Sequence, residues 1–371
     1  MIVPKKNHSP TDPYTFRSAG KKSNNRAVLA AMTNKQSYDS GIISKNEIIW
    51  LLSRAKGGFG IITTAAANVS REGKGWKGEL GLFDDIHIPN LIKLTTAVRS
   101  YDSLIFAQLF HGGMRSPQSL TGVTPISASK LKCDESDSGL SREASEEDIK
   151  KIVEDFTLAA VRCYDAGFDG IELHGAHGYL ISQFLGTKTN LRQDKWGITL
   201  EGRSRLLIQI YRSIRQSLPE SFIVGVRISP EIESIGIDLL DSINLVCKLR
   251  DEGVDFIHLS CWDSFSVSSF NLDSPKTYTE IIIENCCDLP AMISTGGVWS
   301  SSDAIKLLSQ GTDLIGVGRV GIAYPDWAKN LMDKEYNPGR PPFTTEHLKN
   351  AKLSKVFIDY MRRWEGFVID S

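Results

Sequence analysis

Eight short apolar runs, separated by longer amphipathic ones, constrain this chain more than any other feature. They lie at residues 27–32, 59–64, 104–109, 170–174, 223–228, 256–260, 291–294 and 314–317. Several are rich in Val and Ile, as parallel strands buried on both faces should be. The segments between them carry helical periodicity, for example at 46–56, 147–165 and 203–218. Ser145 with Asp148 three residues on reads as a helix-capping pair before the longest of these. Three junctions echo one another: Ala166-Gly167-Phe168-Asp169, Glu252-Gly253-Val254-Asp255 and Gln310-Gly311-Thr312-Asp313. Each reads as a helix ending on Gly and re-entering a strand through Asp. Eight βα units with right-handed crossovers predict a (β/α)8 TIM barrel with long βα loops. An open doubly wound sheet is the alternative, but it would carry GxGxxG after its first strand. The glycines at Gly57, Gly58 and Gly60 precede a strand instead.

The expected organisation is an N-terminal polar arm at 1–24, a barrel at 25–336 and a C-terminal helical extension packed on it at 337–371. The arm lacks the apolar core of a signal segment. A net charge of −1 gives no reason to expect nucleic acid or a membrane surface as partner. No apolar run reaches the length of a transmembrane helix. The six cysteines form no CxxC pair, which favours reduced thiols in a cytoplasmic protein.

In a TIM barrel the chemistry gathers at the C-terminal ends of the strands. The segment IELHGAHGYLISQF, residues 171–184, is a strand that ends in His174, His177 and Tyr179 with glycines between them. Such a cluster can polarise a carbonyl and supply a proton. Thr33 follows the first strand, Gln108 ends the third with His111 after it, and Arg227 lies in the fifth. Gly296 and Gly297 follow the seventh, and Gly318 and Arg319 the eighth, where barrels commonly bind phosphate. Long loops at 65–89, 110–143 and 261–276 bring Arg71, Trp76, Trp262, Phe265 and Phe270 to the same face. Taken alone, these residues leave other readings open. His174 and His177 could be a metal pair with Glu172 as third ligand, or structural histidines. Arg227 could be an interior ion-pair residue. His111 could line the pocket or cap its loop.

Taken together, Ala30-Ala31-Met32-Thr33, Gln108-Leu109-Phe110-His111, His174-Gly175-Ala176-His177-Gly178-Tyr179-Leu180 with Gln183-Phe184, and Gly316-Val317-Gly318-Arg319 resemble the Old Yellow Enzyme family of FMN-dependent ene-reductases, which includes NADH:flavin oxidoreductases. The resemblance spans roughly residues 25–326. It implies non-covalent FMN, with NADH or NADPH as reductant and a small-molecule alkene as substrate. By that likeness Ala31, Met32, Thr33, Ala65, Gln108 and Arg227 would hold the flavin ring, and Gly296, Gly297, Gly318 and Arg319 its phosphate. His174 and His177 would grip the substrate oxygen and Tyr179 would donate the proton. No metal is implied. In some relatives arginines reach a neighbouring subunit's pocket, a role that Arg362, Arg363 and Trp364 would fill in a homo-oligomer. The chain departs from the pattern in several places. Ala31 replaces Pro, the Ser-Pro after Phe184 is missing, and Glu201-Gly202-Arg203 replaces Glu-Asn-Arg. The competing readings are a flavin-free lyase or isomerase that uses the phosphate site for its substrate, and a flavin-binding protein without turnover.

Overall fold

The computed structural model describes residues 8–268 and 275–370. Phe270 lies outside them. Eight parallel strands form the barrel: β1 Ala27–Leu29, β2 Ile61–Asn68, β3 Leu104–Phe110, β4 Gly170–Gly175, β5 Ile223–Ile228, β6 Phe256–Ser260, β7 Ala291–Thr295 and β8 Leu314–Val317. Each pairs with the next, and β8 pairs with β1 (Ile315 opposite Ala27), so the sheet closes. Seven helices cover it: α1 Lys45–Lys56, α2 Ile88–Arg99, α3 Glu146–Asp165, α4 Leu200–Ser217, α5 Leu239–Glu252, α6 Tyr278–Asn285 and α7 Ser301–Ser309. A short helix, Arg319–Ala323, follows β8. Ser145 and Asp148 form a reciprocal capping box at the start of α3.

The repeated Gly-x-Asp junctions do two jobs. Gly167, Gly253 and Gly311 take positive φ where each helix ends. Each Asp carboxylate then accepts a backbone N–H from the preceding strand: Asp169 from Ile105 at 3.0 Å, Asp255 from Val224 at 2.7 Å, and Asp313 from Met292 at 3.1 Å. The aspartates thereby tie strand starts together at the barrel floor.

The first described residues fold back as a hairpin, Tyr14–Thr15 against Lys22–Ser23. Phe16, at its tip, is 1% exposed and plugs the floor. It meets Phe106 and Phe256 edge-on at 5.9 and 6.3 Å. Lys21 pairs with Asp169 at 2.7 Å and Ser18 bonds Asp255, so the plug is pinned to the junction aspartates. At the other end of the chain, Phe343–Thr344 pairs with Val368–Ile369. Between these strands, Phe357 packs on Trp50 of α1 at 5.3 Å. The buried Arg54 guanidinium donates to the carbonyls of Gly321, Ile322 and Ala351, joining α1, the short helix after β8 and the C-terminal segment.

Cys247 and Cys286 are joined by a disulfide, with Cα atoms 5.7 Å apart. This differs from the expectation of free thiols throughout. The pairing of α5 with α6 brings together two cysteines 39 residues apart, which the linear spacing does not reveal. Among the described residues no helix is long and apolar enough to cross a membrane.

Candidate active site

Strand alternation aims Glu172 and His174 of β4 to the same side, and register sets Arg227 of β5 between His174 and His258 of β6. The backbone then turns sharply: His177 takes φ 62°, and its N–H donates to Ser229 Oγ at 3.2 Å. The turn folds the three functional rings into one cluster. His174 and His177 lie edge-on with centroids 5.0 Å apart, and His174 and Tyr179 are 5.1 Å apart. Phe110, the last residue of β3, packs edge-on to Tyr179 at 4.5 Å, and Trp76 closes over Phe110 at 5.2 Å.

The protonation of this cluster follows from its bonds. His174 Nδ1 accepts from the Ala176 N–H at 3.4 Å, which leaves the ring proton on Nε2. His177 Nε2 lies 2.7 Å from Ser260 Oγ, which accepts from Arg227 at 3.0 Å. With the serine proton directed to His177 Nε2, His177 carries its own proton on Nδ1 and can donate it into the mouth. Burial lowers the pKa of both histidines. His177 and then Arg227 lower His174 further, and Arg227 is the next contribution at His177. Both are neutral single donors near neutral pH. Burial raises the Tyr179 pKa, partly opposed by Arg115, so its hydroxyl stays protonated.

Arg227 is buried and donates to the Ala31 carbonyl at 3.2 Å as well as to Ser260. Burial lowers its pKa and Glu172 opposes this. Its Nε is buried without a partner. An unpartnered guanidinium N–H at a barrel mouth fits an acceptor-rich group such as the pyrimidine edge of a flavin. Ala31, Met32 and Thr33 follow the end of β1, and Ala65 lies within β2. Gly296 and Gly297 follow β7 at φ 149° and 73°. A Cβ on Gly296 would lie 2.4 Å from the Cys261 carbonyl oxygen, so only glycine lets the backbone pass there. Gly318 and the exposed Arg319 open the short helix after β8 and face the same end of the barrel. His174, Arg227, Gly296, Gly297, Gly318 and Arg319 thus lie at or just beyond the C-terminal ends of their strands, whereas Ala65 lies in the middle of β2.

Two readings are narrowed. Glu172 is not free to join a histidine pair on a metal, because His258 and Gln108 hold both its oxygens. Among the described residues no cluster of three His, Cys, Asp or Glu could hold a metal. His111 caps its loop, since its Nδ1 accepts from the Gly113 N–H at 3.0 Å. Trp364 lies 6.3 Å from Trp262, and Arg363 stacks on Trp364 and Tyr360. Sequence reasoning missed Arg115, which stacks on Tyr179 at 4.4 Å and donates to the His177 carbonyl at 2.8 Å. It also missed Ser260 and His258. A histidine inside the apolar run FIHLS was the available signal for the last.

The model of the NADH:flavin oxidoreductase / NADH oxidase family matches residues 12–337. The chain is 34% identical to the probable NADH-dependent flavin oxidoreductase YqiG of Bacillus subtilis (strain 168), across 87% of each protein. It is 34% identical to an NADH:acrylate oxidoreductase of Vibrio harveyi and 32% identical to an NADH:fumarate oxidoreductase of Klebsiella pneumoniae (strain 342). These alignments span 87% of this chain but only 33% and 36% of those longer proteins. The fold matches an Old Yellow Enzyme homologue from Zymomonas mobilis with a TM-score of 0.79 at 25% identity, covering 92% of this chain and 96% of that one.

Proposed function

The chain belongs to the NADH:flavin oxidoreductase / NADH oxidase family, of Old Yellow Enzyme type, and is an NAD(P)H-dependent FMN oxidoreductase; from that premise we propose that it reduces the C=C bond of activated alkenes such as enones and nitroalkenes, with Tyr179 as proton donor. The observation that carries this reading is the packing of two hydrogen-bearing rings, His177 and Tyr179, against His174 at 5.0 and 5.1 Å, close to a buried arginine with an unused N–H.

When bound, FMN supplies two-electron chemistry, passing hydride from the nicotinamide to the alkene β-carbon. The residues of the chain do the rest. Ala31, Met32, Thr33, Ala65, Gln108 and Arg227 would hold the ring, with the Arg227 cation beside the edge that gathers negative charge on reduction. Backbone N–H groups of Gly296, Gly297 and Gly318, together with Arg319, would hold the phosphate. His174 from Nε2 and His177 from Nδ1 would donate to the substrate's carbonyl or nitro oxygen as it becomes negative. Such preorganised donors are each worth about 2.7–4 kcal/mol in comparable sites. Because both imidazoles are neutral, they polarise this oxygen without protonating it. Tyr179 would then protonate the α-carbon, its proton retained until that moment by the raised pKa.

Two relatives carry electron-poor alkenes in their names, fumarate and acrylate, which agrees with the substrate class; the alignments reach only about a third of each. The need for reduced nicotinamide argues for work in the cytoplasm. The test is anaerobic turnover with NADH or NADPH and a panel of enones, maleimides and nitroalkenes. Saturated product should form in step with nicotinamide oxidation. A protein that oxidises nicotinamide but reduces no member of the panel contradicts the alkene reading.

A further inference from the structure

A buried line of side chains crosses the barrel beneath the mouth. Gln108 Nε2 on β3 donates to Glu172 Oε1 on β4 at 2.7 Å. Glu172 Oε2 is 2.6 Å from His258 Nδ1 on β6, and His258 Nε2 is 2.5 Å from Thr295 Oγ1 at the end of β7. Gln108, Glu172 and His258 are each 2% exposed or less. Burial raises the Glu172 pKa, but His258, Arg227 and Gln108 outweigh it and hold the pKa below the ordinary value. Burial lowers the His258 pKa. Glu172 is therefore an ionised carboxylate that accepts from His258 Nδ1–H, while His258 Nε2 shares a hydrogen bond with the Thr295 hydroxyl. The neighbouring strand makes room for this. A Cβ at Gly316 of β8 would lie 1.7 Å from Thr295 Oγ1 and 3.0 Å from His258 Nε2, so glycine there keeps the line intact.

From this geometry we infer that Glu172, anchored by His258, is a positioning residue that sets which end of the Gln108 amide faces the cofactor. The inference rests on the proposed FMN site. A carboxylate only accepts, so it can bond the Gln108 NH2 end and repels the carbonyl end. One Nε2 hydrogen is committed to Glu172. The second hydrogen and Oε1 remain side by side, a donor next to an acceptor. The imide edge of a flavin ring presents the complementary N–H and C=O. Flipping the amide by half a turn would place Oε1 against the carboxylate and reverse that pattern. The line ends at Thr295, whose neighbour Gly296 belongs to the phosphate cradle, so one hydrogen-bonded path spans both ends of the cofactor site.

The test is a double-mutant cycle in the full chain, read by FMN dissociation constants and midpoint potential. Glu172→Gln replaces an obligate acceptor with a group that can face Gln108 either way. It should weaken oxidised FMN about tenfold, the scale of one lost neutral hydrogen bond. Reduced FMN, which carries negative charge, should bind with little change because a buried anion has been removed. A tenfold difference between the two forms raises a two-electron potential by about 30 mV. In a Gln108→Ala background the same substitution should leave oxidised-FMN affinity unchanged. If Glu172→Gln does not fold, Glu172→Asp keeps the charge but shortens the reach, and its affinity loss should likewise vanish in the Gln108→Ala background. Equal losses in both backgrounds, or wild-type affinity in the single variant, would overturn the inference. A wild-type protein that binds no FMN would instead refute the site reading beneath it.

Discussion

Replacing Tyr179 with Phe isolates the proton-donor role, because the structure holds the ring by packing. Phe110 meets it edge-on at 4.5 Å and Arg115 stacks on it at 4.4 Å, and neither contact uses the hydroxyl. A phenylalanine ring fits the same slot, so stability should change by less than about 0.5 kcal/mol. What is lost is one acid whose proton burial has made harder to remove. General acids of this kind contribute about 10²–10⁴ in rate. Anaerobic stopped-flow absorbance separates the two half-reactions. Reduction by NADH or NADPH transfers hydride without needing this proton, so its rate should stay within about twofold of wild type. Reoxidation by an enone should fall by two to four orders of magnitude. Equal losses in both half-reactions would refute the role, since the ring would then matter for binding or architecture. An unchanged reoxidation rate would refute it too, and would assign the proton to solvent.

Three other perturbations test separate parts of the account. Gly296→Ala should weaken FMN by more than about tenfold while thermal unfolding stays cooperative, because the new Cβ collides with the Cys261 carbonyl only at the mouth; unchanged affinity in a flavin fluorescence titration would move the phosphate elsewhere. Phe16→Ala should cost about 3–5 kcal/mol in urea unfolding, as for other fully buried aromatics, and a loss under 1 kcal/mol would mean that the hairpin does not plug the floor. The third concerns pH. Burial lowers the His111 pKa to about 3, whereas the unfolded chain binds that proton near pH 6.5. Below pH 6.5 the unfolded state therefore holds more protons, and stability falls with pH by about 1.4 kcal/mol per unit until the folded group also protonates near pH 3. His111→Asn keeps an acceptor for the Gly113 N–H and removes the titration, so its stability should fall less steeply between pH 6 and 4. Parallel slopes for the two proteins would contradict the buried neutral imidazole.

The strands were legible because parallel strands covered on both faces leave dense apolar runs, and β4 through β8 begin where those runs begin. The Gly-x-Asp echo was legible as a junction. That its carboxylates accept backbone N–H groups from neighbouring strands was not, since such bonds join residues as far apart as Ile105 and Asp169. The candidate positions were legible as candidates because barrel chemistry gathers at strand ends. The interior line was not. Nothing in an apolar run tells which residues point inward when both faces are covered, so Glu172 read as a candidate ligand beside His174 and His258 passed unnoticed. Arg115 sits in a long loop whose path no periodicity predicts, and only the fold brings it onto Tyr179.

The measurement that tests the central claim most directly is a crystal structure of the protein grown with FMN. The account predicts the isoalloxazine across the barrel mouth beneath His174 and His177, its pyrimidine edge at Arg227 and Gln108, and its phosphate on Gly296, Gly297, Gly318 and Arg319. An empty mouth, or a metal ion bridging the two imidazoles, would contradict it.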